Sequence, residues 1–282
     1  MIKKYILVLL IITGSIFAQD KKEEVKQNTW LPSGVASFNI SQVSLSNWAK
    51  GGENSLAFGL IGNFGFKYYS APWKFDNLLK VSFGKTKIGD QEFRTADNEI
   101  YMQNMLSYSF GWIVDPYFSN IFRSVLANGF DYSTEPILQT AAFFDPGYFQ
   151  QGFGFTYQQF PNWNFRAGLG FKETITSKFN KYSDNPDTPQ KIEKFKFETG
   201  IEAGIVGKAQ LAENILFTTD LGLFSAFNEL TVWDVRWDNT LTAKISNIFN
   251  VNFNVVVLYD KDQTLKTQLK EALQIGITYT LF

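Results

Sequence analysis

Glu198 and Glu202 are the two residues of this 282-residue chain best placed to act together as acid and base. Paired carboxylates hydrolyse glycosides when one protonates the leaving group and the other serves as base or nucleophile. Both lie in FKFETGIEA, where the even positions are polar or small and most odd ones apolar, so they share one face of a strand. Four residues along a strand is about 13 Å, wider than the roughly 9.5 Å upper limit of an inverting pair. Glycoside hydrolysis is therefore not expected of them.

The chain has no histidine, which removes Ser-His-Asp hydrolysis, imidazole acid–base work and most zinc or iron sites. It has no cysteine either, and so no thiol nucleophile, disulfide or lipidated cysteine. Gly152-Phe153-Gly154 and Gly168-Leu169-Gly170 keep a period of two instead of the spacing of a phosphate loop. Asp184 and Asp187 are acidic loop residues without a calcium-loop pattern around them. The expectation is a protein without covalent chemistry, without a cofactor and without a metal site.

The charges that remain are more informative. Arg166 and Lys172 share one face of the segment before Lys196, Glu198 and Glu202; Arg236, Asp238 and Lys244 share a face further on. In a hairpin, Lys172 can oppose Glu198, with Arg166 near Glu202. Two readings stand: a salt-bridge ladder filling a narrow barrel, or a polar track guiding a solute. The mixed signs argue against strong selectivity for anions or cations.

The elements that would hold these residues are strands of unusual length. In SLAFGLIGNFGFKYY every even position from Leu56 to Tyr68 is Leu, Phe, Gly or Tyr, while the odd row is mostly small or polar. Soluble strands run to about six residues, whereas a tilted membrane-spanning strand needs about ten. The same alternation predicts strands near residues 35–45, 55–69, 74–85, 99–112, 117–132, 148–158, 163–174, 194–208, 214–224, 233–245, 250–259 and 266–282. Aromatics reach 17% and charged residues only 19%, a balance that suits a barrel whose outside is apolar. Mean hydropathy is only −0.13, because the inward positions dilute the outward ones. The fold expected is all-β: a single antiparallel transmembrane β-barrel of about twelve strands.

Connections alternate in length. Short Pro-bearing turns at SAPW, VDP and FPN face longer loops at residues 84–98, 133–147 and 177–193. Short turns on the periplasmic side place both termini there. Trp73, Trp112 and Trp163 then gather at the periplasmic interface, with Trp48 and Trp233 at the opposite one, as an aromatic girdle. The 133–147 loop carries Leu138, Phe143 and Phe144, apolar enough to dock a partner, plug the lumen or dip to the interface.

The N-terminus fits export. Lys3 and Lys4 precede the apolar run YILVLLII, and TGSIFAQ offers cleavage after Ala18. Residues 1–18 are thus expected to be a signal peptide, 19–30 a flexible charged leader and 31–282 the barrel. The C-terminus alternates as Ile277-Thr278-Tyr279-Thr280-Leu281-Phe282, resembling the signal that barrel-assembly machinery recognises, although Phe282 falls out of step with Tyr279 and Leu281.

The segment SFNISQVSLSNWAKGGENS, and NWAKGGENS within it above all, resembles the opening signature of an outer-membrane family of the Bacteroidota, domain of unknown function 3078. FAQ at the end of the signal segment has the look of that phylum. The resemblance implies an outer-membrane barrel of unassigned activity and carries over no catalytic residues. The expectations that follow are a cell outer membrane location and a passive channel or transporter of small solutes or lipids. The competing expectation is a non-conducting barrel that scaffolds or docks partners. Outer-membrane lipid, the assembly machinery during insertion and another outer-membrane protein are the expected contacts; nucleic acid is not.

Overall fold

Twelve strands with alternating faces close into one antiparallel barrel in the computed structural model, which describes residues 28–281 apart from Trp48, Lys50, Pro186, Asp187 and Pro189. In chain order the strands are β1 (Thr29–Val43), β2 (Ser55–Ser70), β3 (Trp73–Ile88), β4 (Arg94–Tyr108) and β5 (Asp115–Ser124). A small pair, β6 (Gly129–Asp131) and β7 (Leu138–Ala141), interrupts the sequence. Then come β8 (Gly147–Tyr157), β9 (Trp163–Ile175), β10 (Phe195–Ala212), β11 (Ile215–Ala226), β12 (Asp234–Lys244), β13 (Phe249–Asp260) and β14 (Thr264–Thr280). Each barrel strand pairs with the next, and β14 returns to β1. The expected signal segment 1–18, the leader up to residue 27, Trp48, Asp187 and Phe282 lie outside the described residues.

Several boundaries differ from the expectation. The loop expected at 84–98 shrinks to 89–93, because β3 and β4 keep pairing up to Thr86↔Arg94, and two further differences have a clear physical cause. β1 begins at Thr29, inside the segment read as leader, because Trp30 packs on Tyr68 (centroids 4.7 Å apart) and edge-on to Phe75 (6.1 Å). The fifth strand, expected to reach 132, stops at Ser124. There the Asn98 side chain takes the backbone N–H groups of Leu126 and Ala127 at 2.9 Å and donates to the Ala127 carbonyl, turning the chain away from the ladder.

Burial is inverted relative to a water-soluble domain. Glu202, Lys172, Thr156, Thr174, Ser107 and Ser119 are buried, while Phe118, Phe153, Phe155, Phe197, Leu273 and Ile275 are exposed. Charged side chains enter an interior only when paired, and soluble surfaces rarely carry so large an apolar band. The band is locally ordered: Phe153, Phe171 and Phe197 stack side by side across β8, β9 and β10 at 5.8 and 6.2 Å. Polar residues that do point outward bond to one another. Asn77 donates to Asn104 (2.8 Å), and Trp237 donates to Thr219 (2.9 Å), whose hydroxyl also donates to Asn239 (2.8 Å).

The β1–β14 seam differs from the other joins. Five register pairs, from Val35↔Thr280 to Asn39↔Gly276, hold it, with one further backbone bond below from Leu281 N–H to the Gly34 carbonyl (2.7 Å). β1 and β2, by contrast, pair along all fifteen residues of β1. Above Asn39, among the described residues, 40–43 pair with β2 alone, and Thr264 and residues 268–275 with β13 alone.

Candidate functional site

The lumen gathers most of the chain's buried polar chemistry. β9 and β10 present their even residues inward, and their register sets Lys172 opposite Glu198. Lys172 Nζ lies 2.6 Å from Asp234, 3.1 Å from Asp260, 3.7 Å from Asp262 and 3.9 Å from Glu198, with its side chain 3% exposed. Lys196 Nζ reaches Asp262 at 2.6 Å and Glu198 at 3.1 Å. Two ammonium groups thus face four carboxylates drawn from β10, β12, β13 and the turn after it. A buried cation is tolerable only with such partners, because desolvation alone would cost several kcal/mol.

Beneath this cage, Glu202 accepts hydrogen bonds from the Tyr117 hydroxyl (2.6 Å) and Gln150 Nε2 (2.9 Å), with Ser119 Oγ 3.5 Å away. Gly152 faces it without a side chain, and a Cβ there would overlap the carboxylate. The expected Arg166–Glu202 neighbourhood takes another form. Glu202 registers with Gly168 and Arg166 with Gly204; the guanidinium lies over Gly204, where a Cβ would sit 2.9 Å from its Cζ. No Arg166–carboxylate ion pair forms among the described residues, because the two-residue offset in register turns Arg166 across the glycine.

Ion pairs also cross the lumen between strands that are not neighbours. Arg236 on β12 meets Glu99 on β4 at 2.6 Å, Lys80 on β3 meets Asp238 on β12 at 3.6 Å, and Lys270 on β14 meets Asp97 on β4 at 2.6 Å. Asp238 also accepts from Asn254 (2.7 Å). Lys244 is exposed at the short-turn end of β12, apart from this network. The open space inside divides accordingly. A vestibule of about 410 Å³ at the long-connection end is lined by Arg123, Tyr148, Arg236, Leu258 and Lys270, among others. It adjoins a deeper pocket of about 50 Å³ bounded by Tyr101, Arg166, Lys172, Phe224 and Asp234. That volume is room for a few waters in this conformation.

Trp73, Trp112 and Trp163 sit at the short-turn end, joined there by Trp30, and Trp233 sits at the opposite end. The apolar side chains Leu138, Phe143 and Phe144 of the long loop stay outside the lumen, although Pro146 of the same loop lines the vestibule. Phe144 stacks on Phe122 (5.2 Å) and approaches Phe149 (6.1 Å), both on the outer face, while the backbone N–H groups of Ser177 and Lys178 donate to Asp145 at 2.9 and 2.7 Å. Glu193, in the connection between β9 and β10, accepts from the Asn185 N–H (3.3 Å) and the Thr188 hydroxyl (2.9 Å), and these bonds hold its carboxyl below the usual range.

Asp97, Glu99, Tyr117, Gln150, Asp234, Asp260, Asp262 and Lys270 belong to the site without having been singled out from sequence. Asp234 and Lys270 were legible as inward positions by alternation. Which of them meet across the lumen depends on barrel closure, which a linear pattern does not carry. Among the described residues no group of three His, Cys, Asp or Glu side chains is arranged to hold a metal ion.

Two family models match the chain. Protein of unknown function (DUF3078) covers residues 40–130, and protein of unknown function, DUF481, covers residues 137–281. The sequence resemblance to the former is thus confined to the first part of the barrel. No curated protein matches. Among solved structures, the translocator domain of the autotransporter NalP from Neisseria meningitidis is 11% identical at a TM-score of 0.39, over 92% of this chain and 90% of that one. The COG4313 outer membrane channel from Pseudomonas putida F1 is 9% identical at 0.38, over 93% and 98%. The KdgM porin is 7% identical at 0.30, over 88% and 99%. Likenesses this distant do not bear on activity.

Proposed function

The chain belongs to the family described as protein of unknown function, DUF481, a description that assigns no activity, and from that footing we propose an outer-membrane barrel that passes small solutes through a narrow, charge-lined lumen. The single observation that carries this reading is the inverted burial, with ionised side chains inside along the barrel and an apolar aromatic band outside. Closed barrels can cross a bilayer because every backbone group finds a partner, and the exposed phenylalanines then meet lipid instead of water. Asymmetric connection lengths and tryptophans near both rims fit short turns on the periplasmic side.

On this reading the Lys172 cage is the constriction and the vestibule is the outer mouth. A solute passes by exchanging its hydration for the paired charges, which favours small polar molecules and leaves little preference between signs. The protein performs no covalent step. The barrel-assembly machinery inserts it through β14, and lipid is its permanent neighbour.

The pocket of about 50 Å³ favours a second reading, a non-conducting barrel locked by its cross-lumen ion pairs, with partners bound at the loops. Liposome swelling separates the two. Purified protein should admit solutes the size of glycerol or an amino acid and exclude disaccharides. Swelling no faster than in protein-free liposomes, with the barrel inserted and heat-modifiable on gels, would favour the locked scaffold.

A further inference from the structure

The β1–β14 seam stops short of the height of the membrane band. Five register pairs and the bond below them span roughly 15 Å in a tilted strand, against an apolar band about 25 Å tall. Above Asn39↔Gly276 the facing edges of β1 and β14 share no ladder, and Leu269, Leu273 and Ile275 beside the gap are among the most exposed large hydrophobic side chains of the described residues. Unpaired backbone cannot stand against hydrocarbon unless it lines a polar cavity.

Such a cavity lies behind the gap. The vestibule of about 410 Å³ is walled in part by Gln268, Leu269 and Lys270, from the stretch of β14 that lacks a β1 partner. Its lining carries Arg123, Arg236 and Lys270 beside apolar side chains, and of its two carboxylates Glu99 is paired with Arg236 and Asp97 with Lys270. Among the described residues Arg123 forms no ion pair within salt-bridge distance, although its charge acts on Asp260, and it packs over the Tyr148 ring at 5.9 Å; the buried Gln268 Nε2 has no hydrogen-bond partner among them either; Val256 and Leu258 are apolar. The rung where pairing stops is itself poorly satisfied. Asn39, 6% exposed, fills the space left by the missing Gly276 side chain, and neither of its amide atoms is bonded among the described residues. A buried, unbonded amide raises the free energy of the closed rung relative to an opened, wetted one.

We propose that the upper β1–β14 seam is a lateral portal through which an anionic amphiphile passes between the vestibule and the surrounding membrane. Arg123 and the Gln268 amide receive the head group, and Val256, Leu258 and Leu269 receive the start of the chain. The inference rests on the membrane-spanning reading above and names its substrate class.

The chain has no cysteine, so introduced pairs are its only thiols. Ser41→Cys with Gln274→Cys, two rungs above the last pair, bridges the gap by a disulfide or a short bis-maleimide. Ser37→Cys with Thr278→Cys bridges the closed seam, where the native hydroxyls already lie 2.8 Å apart. In proteoliposomes, diazirine-tagged phosphatidylglycerol should label inward residues around Arg123, and the upper bridge should reduce that labelling to the level seen without irradiation. Cleaving the disulfide should restore it, and the lower bridge should leave it unchanged. Diazirine-tagged octanoate added from water, entering by the mouth, should label the vestibule with either bridge in place. Lipid labelling unaffected by the upper bridge, or labelling by octanoate alone, would overturn the lateral route; labelling by neither probe would overturn the amphiphile site. A barrel that fails to insert into liposomes at all would instead count against the membrane-spanning reading.

Discussion

The Tyr117 hydroxyl donates to Glu202 across 2.6 Å, tying β5 to β10, two strands that β8 and β9 separate in the barrel wall. The bond crosses the lumen interior and leaves Gln150 as the other close donor to that carboxylate. Tyr117→Phe should cost about 1–3 kcal/mol, the range for removing a hydrogen bond from a buried charged group. The readout is the temperature or urea midpoint at which the folded band converts on gels. A variant melting with the parent would show that the carboxylate is held by other means.

Lys172→Met should be more damaging. It leaves Asp234, Asp260, Asp262 and Glu198 around an apolar side chain, and removing one partner of a buried ion cluster typically costs about 3–5 kcal/mol. Lys196→Met, whose side chain is 31% exposed, should cost clearly less under the same urea titration. Equal midpoints for the two variants would contradict the cage.

On the apolar outer face of the barrel, Asn77 and Asn104 bond to each other. Asn104→Leu alone strands the Asn77 amide and should destabilise by about 1–2 kcal/mol, whereas replacing both with leucine should be near neutral. A double-mutant cycle measures the difference. Additive effects would mean that the two amides do not depend on each other.

Acid should loosen the connection between β9 and β10. The Glu193 carboxyl is held below its usual value by the Asn185 N–H and the Thr188 hydroxyl. A depressed folded-state value means the stabilisation is present above the unfolded value of about 4.3 and is lost as pH falls through the folded value. Limited pepsin digestion should therefore nick residues 176–194 at the lowest pH while the barrel stays intact, and Glu193→Gln should raise the pH at which nicking starts. A loop equally resistant throughout would count against this anchor.

The strands were legible because a period of two sustained over ten or more residues, as from Leu56 to Tyr68, matches the pleat of a long strand and not the 3.6-residue turn of a helix. Boundaries failed where a side chain overrode the pattern: Asn98 captured the chain after Ser124, and Trp30 drew the start of β1 outward. For the candidate site, the inward faces of Lys172, Glu198 and Glu202 were readable, and so was the Lys172–Glu198 opposition, because hairpin neighbours share a local register. Arg236 with Glu99 and Lys270 with Asp97 were not, since those pairs span the closed barrel. The short seam was equally invisible. Nothing in the alternation of β14 distinguishes residues 264–275 from the paired rungs below them.

The most direct test of a charge-lined conducting lumen is single-channel recording of the purified, heat-modifiable barrel in planar bilayers, comparing the parent with Lys172→Met. The parent should give small, discrete steps with little ion preference. The variant should give larger steps that favour cations, because four carboxylates then line the constriction without their central ammonium. Silent membranes from both proteins, at protein densities where insertion is demonstrated, would contradict a conducting lumen.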